Sequence, residues 1–151
     1  MSRRKREKIN NVEVSDLLGK TIIDVETSKT DEDLVKDNVL TFITEEGEMY
    51  KFIHNQACCE SVYIEDITGN LDNLVGSPLA VAEVVTNSTD DKDDEFNTIE
   101  AGPDPDENYL SYTWTYYKFA TIKGYVTIRW FGESNGFYSE EVDIVKEDLM
   151  F

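Results

Sequence analysis

The sequence predicts a mainly β protein (α+β), built as an antiparallel sheet or meander with one or two short helices. Two observations support this prediction. Apolar and aromatic side chains alternate with polar ones along several short runs, which is the period of a strand with one buried face. Turns that contain glycine separate these runs. The length of 151 residues fits one domain.

The first predicted elements are a basic arm and a helical turn. Residues 1–11 carry five basic side chains and one acidic one, and we interpret them as a flexible arm ahead of a single β-rich domain over residues 12–151. Ser15 can cap a helical turn that Gly19 ends. The next run, residues 21–25, is predicted to be a strand.

A hairpin is the clearest element of the first half. Residues 39–44 and 49–54 alternate apolar and polar side chains on either side of a turn that contains Gly47. Residues 61–65 are predicted to form the next strand. A short helical turn or loop bounded by glycines is expected over residues 69–76.

The middle of the chain is less regular. Residues 79–85 are apolar enough for a buried strand, although Ala80 and Ala82 would also suit a helix. Residues 88–108 are strongly acidic and include two prolines, so they are predicted to form a long acidic surface loop.

The strongest β pattern lies near the C-terminus. Aromatic side chains alternate with threonines over residues 112–122, and a tight turn at Gly124 leads into a second alternating run over residues 125–130. A further turn precedes a predicted strand over residues 138–145. We therefore predict a C-terminal meander of three strands, extended by the earlier hairpin.

The charge of the chain limits its partners. The net charge is −18, and residues 11–151 alone hold 31 acidic side chains against 9 basic ones. Such a body repels nucleic acid and anionic membranes and attracts basic partners. No run approaches the ~20 apolar residues that span a bilayer, and no apolar segment follows the basic arm. We therefore expect a cytoplasmic protein that binds neither membrane nor nucleic acid directly.

The densest group of reactive side chains comprises His54, Cys58, Cys59 and Glu60. All four side chains can bind zinc, but adjacent thiols rarely hold one metal with good geometry. A Cys–His nucleophile is opposed by the acidic neighbours. The favoured interpretation is a pair of small buried thiols at a strand end and a histidine bonded to the backbone. The two adjacent cysteines provide no disulfide framework, which fits a reducing compartment.

A second group could bind a divalent cation. Glu65, Asp66, Asn70 and Asp72 supply side-chain oxygens around a glycine, as calcium and magnesium sites do, but their spacing differs from that of an EF-hand. The alternative is that these side chains cap a helical turn at Leu71–Leu74. We predict no metal and no cofactor.

A third candidate is the tip of the C-terminal hairpin. Stacking on an aromatic side chain and pairing with an arginine could hold a planar or phosphorylated ligand. The alternative places Trp130 and Phe137 in the core and leaves the Asn-Gly pair to form the turn. The candidate binding residues at this tip are Arg129, Trp130, Glu133, Asn135 and Tyr138.

Several of these segments resemble a family of small, uncharacterised bacteriophage and prophage proteins, over most of residues 38–145. The resemblance implies a phage or prophage origin and a cytoplasmic life inside an infected bacterium. It supplies no catalytic residues. The segments that carry it are His54-x-x-x-Cys58-Cys59-Glu60-x-Val62, Ile64-Glu-Asp-Ile-x-Gly69, Leu74-x-Gly-Ser-Pro78, Thr113-Trp-Thr-x-Tyr117, Thr121-x-Lys-Gly124 and Arg129-Trp-x-Gly-Glu-Ser-Asn-Gly136.

Two functions remain open. No hydrolase, P-loop, dinucleotide or zinc-protease motif is present. With a single histidine and few cations, phosphoryl transfer or hydride chemistry would lack its usual electrostatic parts, so we favour a non-enzymatic accessory protein. Such a protein would bind and inhibit or modulate a host protein, in defence or nucleic-acid handling, by presenting carboxylates where DNA phosphates would sit. The acidic candidate residues are Asp90, Asp91, Asp93, Asp94 and Glu95.

The alternative function uses a small-molecule site. His54, Cys58, Cys59 and Arg129 would line a pocket that sequesters a nucleotide or works as a weak metal-dependent enzyme. This alternative requires the two segments to converge on one concave face. A homo-oligomer is compatible with either function, because flat antiparallel edges invite pairing.

Overall fold

The computed structural model describes residues 12–90 and 111–149. They form two four-stranded antiparallel sheets, which confirms the mainly β prediction. The predicted arm, residues 1–11, lies outside the described residues. The strands are β1 (Ile22–Ser28), β2 (Val39–Thr44), β3 (Glu48–Ile53), β4 (Ser61–Thr68), β5 (Val81–Asp90), β6 (Ser111–Thr121), β7 (Gly124–Ser134) and β8 (Asp143–Asp148).

The first sheet has the strand order β1-β2-β3-β8 and the second has the order β4-β7-β6-β5. Both predicted hairpins are confirmed, as the pairs β2–β3 and β6–β7.

Residues 79–85 contribute to strand β5 rather than to a helix. This strand continues through Ser88, Thr89 and Asp90, so it extends into the segment that was predicted to be an acidic loop.

The predicted C-terminal meander of three strands is wrong. Strand β8 pairs with β3 in the first sheet, with Ile53 opposite Asp143, and does not follow β7 in the second sheet. The chain crosses between the sheets after Ser134. Ile144 is the only buried residue of β8, and a single apolar position suits either sheet, so the sequence pattern could not select the partner strand.

The two short helices are single turns of 3-10 helix, Val14–Leu17 and Leu71–Leu74. The first turn begins at Val14, so Ser15 lies inside it and does not cap it. Asn70 caps the second turn, because its side-chain oxygen accepts a hydrogen bond from the Asp72 amide at 2.9 Å. No helix in the described ranges is long and apolar enough to cross a membrane.

Aromatic side chains fill the space between the sheets. Phe42 and Phe52 of the first sheet meet Tyr117 and Phe119 of the second, with ring centroids 5.0 Å apart for Phe42–Phe119 and 4.9 Å apart for Phe52–Tyr117. These edge-to-face contacts join the two inner faces into one core. Trp130 of β7 is also fully buried in this core.

Two connections carry the chain from one sheet to the other, and they lie side by side. The first crossover, residues 54–60, leads from β3 to β4, and the second crossover, residues 135–142, leads from β7 to β8. Strand β3 pairs with β8 and β4 pairs with β7. Both crossovers therefore begin and end at neighbouring strands, at the same end of the molecule.

Candidate functional site

A buried carboxylate organises the first crossover. The Glu60 side chain has 0% relative exposure. One of its oxygens, Oε2, lies 2.7 Å from both the Ala57 amide nitrogen and the His54 Nε2, while Oε1 accepts from the Cys58 amide at 2.8 Å. The loop thus folds around Glu60, whose position in the sequence gives no sign of burial.

The hydrogen bonds to Glu60 favour its ionised form. Burial alone would raise the pKa of this carboxyl group. Hydrogen bonds from the Ala57 amide, the His54 ring and the Cys58 amide outweigh burial and lower the pKa from 4.5 to about 2. The carboxylate is therefore charged at neutral pH.

His54 ties the two crossovers together. Its Nδ1 lies 2.7 Å from the backbone oxygen of Glu141, and its Nε2 faces Glu60. Both partners are hydrogen-bond acceptors, so the ring satisfies both contacts only when both nitrogens carry protons. The predicted backbone-bonded histidine is confirmed.

The cysteine pair is exposed, so the prediction of buried thiols is wrong. Glu60 takes the interior of the loop, and the two thiols face outward with their sulfurs 2.7 Å apart. Tyr138 of the second crossover meets Cys58: a hydrogen bond to Cys58 is the main reason that the pKa of Tyr138 is raised. The pKa of Cys59 is raised mainly by the same kind of bond to Cys58.

A cavity of about 700 Å³ adjoins the first crossover. His54, Gln56 and Glu60 form one part of its wall, and the loop that contains Leu34 and Val35 forms another. Val35 is 87% exposed at its rim. The cavity combines an apolar side with polar side chains such as Lys36, Asn38 and Gln56, which is the composition of many small-molecule sites.

A groove of about 580 Å³ adjoins the second crossover, on the side of strands β5 and β6. Hydroxyl side chains of the strands, including Thr86 and Thr113, line one wall, and Glu140 lies in the other. The Glu140 carboxylate accepts hydrogen bonds from Thr113 at 2.6 Å and from Ser134 at 2.5 Å.

The sequence interpretation missed Glu140. The side chain is 7% exposed, but the run Ser139-Glu140-Glu141 has the composition of an ordinary solvated turn. The one local signal is Gly132 in the middle of β7. A Cβ at Gly132 would lie 3.0 Å from the Cβ of Glu140, so the glycine leaves room for this carboxylate.

Arg129 does not join the cluster around His54. Its Nε donates to Glu65 Oε1 at 2.9 Å, its Nη2 contacts the same oxygen, and its guanidinium lies 5.3 Å from the centre of the Trp114 ring. Arg129 and Trp114 alternate with buried residues of β7 and β6, so they lie on the outer face of the second sheet. Arg129 lines neither the 700 Å³ cavity nor the 580 Å³ groove.

The remaining predicted residues of the hairpin tip are dispersed. Trp130 packs in the core, as the alternative interpretation held, whereas Phe137 is 80% exposed and not in the core. The Asn135 side chain accepts from the Phe137 amide at 2.9 Å and so shapes the turn. Glu133 lies on β7 opposite Ser61. Of this group, Tyr138 alone reaches the cluster around Cys58.

A family model for a domain of unknown function, DUF7448, matches residues 11–144. The chain belongs to this family. The match covers both crossovers and strands β1 to β7 of this DUF7448 member, and it ends at the start of β8. Searches of curated proteins and of solved structures found no match.

The acidic candidates of this DUF7448 member are only partly described. Asp90 is the last residue of β5, and Asp91, Asp93, Asp94 and Glu95 lie outside the described residues, as do residues 96–108 of the predicted acidic loop. Within residues 12–90 and 111–149, no group of three or more His, Cys, Asp or Glu side chains is placed to hold a metal ion.

Proposed function

We propose that this DUF7448 protein is a non-enzymatic accessory protein of phage or prophage origin that binds a basic surface of a host bacterial protein. The partner acts in defence or nucleic-acid handling, and binding inhibits or modulates it in the cytoplasm. One observation carries the proposal: most carboxylates on the described surface have no cationic partner.

Five of the eight lysine and arginine side chains in the described ranges are already engaged. Lys20 pairs with Glu46 and Glu48, Lys146 pairs with Glu48, and Arg129 pairs with Glu65. Two further lysines donate to backbone oxygens, Lys36 to Glu65 and Lys123 to Val75. Across the described ranges, ion pairs with lysine or arginine therefore occupy only Glu46, Glu48 and Glu65.

An unneutralised surface of this kind suits a partner that normally binds DNA. A net charge of −18 attracts a basic groove over a distance of about 10 Å at moderate salt. Carboxylates can replace phosphates as the acceptors of lysine and arginine side chains. Binding of this type weakens steeply as the salt concentration rises.

The test begins with capture from a bacterial lysate on the immobilised full chain, followed by elution in steps of salt. The captured protein is then purified, and its binding to duplex DNA is measured with and without the chain. We expect a basic protein that leaves in salt and whose DNA binding the chain inhibits. An association that persists unchanged at about 1 M salt removes the DNA-mimic version of the proposal.

Charge variants make this test specific. Replacing the five acidic residues within positions 90–95 by their amides is expected to weaken inhibition. The matched control replaces five exposed acidic residues of the first sheet and its loops by their amides: Asp24, Glu26, Glu32, Asp33 and Glu45. Equal losses in both variants would show that only net charge matters, and equal affinity in all three proteins would contradict an electrostatic interface.

The alternative function, a small-molecule site, is favoured by the 700 Å³ cavity with His54 and Glu60 in its wall. Native mass spectrometry of the purified chain, with heating to release any bound molecule, tests this alternative. A released nucleotide or metabolite, lost in a His54→Ala variant that still folds, would support it. The Arg129→Ala variant is the matched control, because Arg129 lies away from this cavity.

A further inference from the structure

Three of the four sheet edges carry features that prevent further strand pairing. Strands β1 and β4 each contain a bulge, between Ile22 and Asp24 and between Ile64 and Asp66. Strand β8 is short, and four of its six residues are charged. Bulges, charges and short strands are the usual means by which proteins protect exposed edges.

The fourth edge, β5, has none of these features over most of its length. It pairs with β6 in an unbroken register of ten residues, from Val81 opposite Ala120 to Asp90 opposite Ser111. Residues 84–89 contain no charge and no proline. Among the described strands, none pairs with the other side of β5. Val84 and Val85 are 43% and 46% exposed.

The edge of β5 adjoins the 580 Å³ groove. Val84, Thr86 and Ser88 point toward the groove, and the second crossover forms its opposite wall. Alternate side chains of a strand added to this edge would therefore face the groove, which holds Glu140 and Glu141. Backbone hydrogen bonds to an edge together with pockets for alternate side chains are the elements of peptide recognition by strand addition.

We propose that β5 binds an extended basic segment of the partner protein as an added strand, with alternate lysine or arginine side chains directed toward Glu140 and Glu141. The choice of occupant follows from charge: a second copy of a chain with a net charge of −18 would be repelled, whereas a basic segment is attracted. The inference rests on the proposed function and identifies the part of the partner that is bound.

The test uses the isotopically labelled full chain and a synthetic peptide of alternating lysine and threonine. The matched control peptide alternates glutamate and threonine. We expect the lysine peptide to slow hydrogen exchange about tenfold at every second amide within residues 84–89, because alternate amides of an edge strand face outward. The glutamate peptide should leave these amides unchanged.

Two variants test the role of the groove. Glu141 is exposed at the groove, and Glu141→Gln is expected to weaken binding of the lysine peptide about threefold. Glu45→Gln, in the β2–β3 turn, removes the same charge away from the groove and should leave the affinity unchanged. An equal loss in both variants would overturn the proposed direction of the basic side chains.

Other results distinguish this inference from the proposed function. Peptide binding without protection of β5 amides would overturn strand addition. Protection of β5 that grows with protein concentration in the free chain would assign the edge to a second copy. A salt-sensitive host partner captured without protection of β5 would overturn this inference and leave the proposed function standing. Protection of alternate β5 amides by the lysine peptide, without capture of any host partner, would support strand addition and overturn the proposed function.

Discussion

Glu60 holds the first crossover in place through hydrogen bonds that only its ionised form can accept in full. The side chain is enclosed by the loop that it organises, with His54 and two backbone amides as donors. The sequence indicated that His54 and Glu60 belong to one cluster. It could not indicate that the carboxylate is interior and the thiols are exterior, because that arrangement depends on how the backbone turns.

The first prediction concerns acid stability. The pKa of Glu60 is lowered from 4.5 to about 2 in the folded chain, so the group stabilises the fold fully above about pH 4.5 and loses this effect as the pH falls through about 2. Glu60→Gln should therefore flatten the decline of unfolding free energy over that range. Urea denaturation at a series of pH values measures the decline. Glu45→Gln is the control. The prediction would be contradicted if the unfolding free energy of Glu60→Gln declined as steeply with falling pH as that of the unchanged protein.

The second prediction concerns the exposed thiols. Both Cys58 and Cys59 should react with a thiol reagent in the folded protein, because neither is covered. The Tyr138 side chain lies against one side of Cys58. Tyr138→Ala removes this ring and should speed alkylation of Cys58 about threefold, as measured by mass spectrometry of the peptides. Tyr63→Ala, in β4, is the control, and equal rates in both variants would refute the role of Tyr138.

Glycines at the ends of elements differ in what surrounds them. Gly69 follows β4 with φ +100°, and a Cβ there would lie 2.5 Å from the backbone oxygen of Tyr125 in β7. Gly19 follows the first 3-10 turn with φ +84°, and a Cβ there would meet nothing within 4 Å. The two positions share a left-handed backbone and differ in packing.

The third prediction uses this pair of glycines. Gly19→Ala should lower the unfolding free energy by about 1 kcal/mol, the strain of a left-handed residue. Gly69→Ala should lower it by about 3 kcal/mol, since the strand end must also move away from β7. Chemical denaturation of both variants gives the two values. Equal losses of unfolding free energy in the two variants would mean that the contact between residue 69 and Tyr125 relaxes without cost.

Strands with strong local patterns were predictable, and so were pairings within a hairpin, but the pairing of strands far apart in the chain was not. The β2–β3 and β6–β7 hairpins follow from alternation around glycine turns, because both strands and the turn are adjacent in the sequence. The pairing of β8 with β3 joins segments far apart in the chain. Nothing in residues 143–148 distinguishes one sheet from the other, so only the packed molecule decides.

At the level of the whole molecule, like charges oppose folding. The chain has a net charge of −18, and in the described ranges ion pairs with lysine or arginine occupy only Glu46, Glu48 and Glu65. Repulsion among carboxylates raises the free energy of the compact state relative to the expanded chain. This property follows from the composition, since it depends mainly on the number of charges.

The fourth prediction follows from that repulsion. Sodium chloride at about 0.5 M should raise the melting temperature by about 4 °C, which corresponds to about 1 kcal/mol, because salt screens the repulsion. A variant with exposed Asp31, Glu32 and Asp33 changed to amides should show a smaller rise. Thermal unfolding followed by circular dichroism measures both. A melting temperature that falls with salt would show that attractive pairs dominate.

The candidate site was predictable only in part, because the sequence shows which residues are neighbours along the chain and not which distant segments meet. His54, Cys58, Cys59 and Glu60 are neighbours in the sequence and stay together, and Tyr138 joins them because the two crossovers lie side by side. Arg129 is separated from them because alternate residues of β7 face opposite sides of the second sheet. Its side chain pairs with Glu65 on the outer face.

The pairing of β8 with β3 also has a consequence for synthesis. Strands β4 to β7 are consecutive and can pair as soon as they leave the ribosome, but β3 must wait for the last strand, Asp143–Asp148, to complete its sheet. At usual elongation rates this interval lasts roughly 5–20 s. During that time, the nascent chain carries an open strand at β3 that the finished protein lacks, and this strand is exposed to chaperones and to wrong partners.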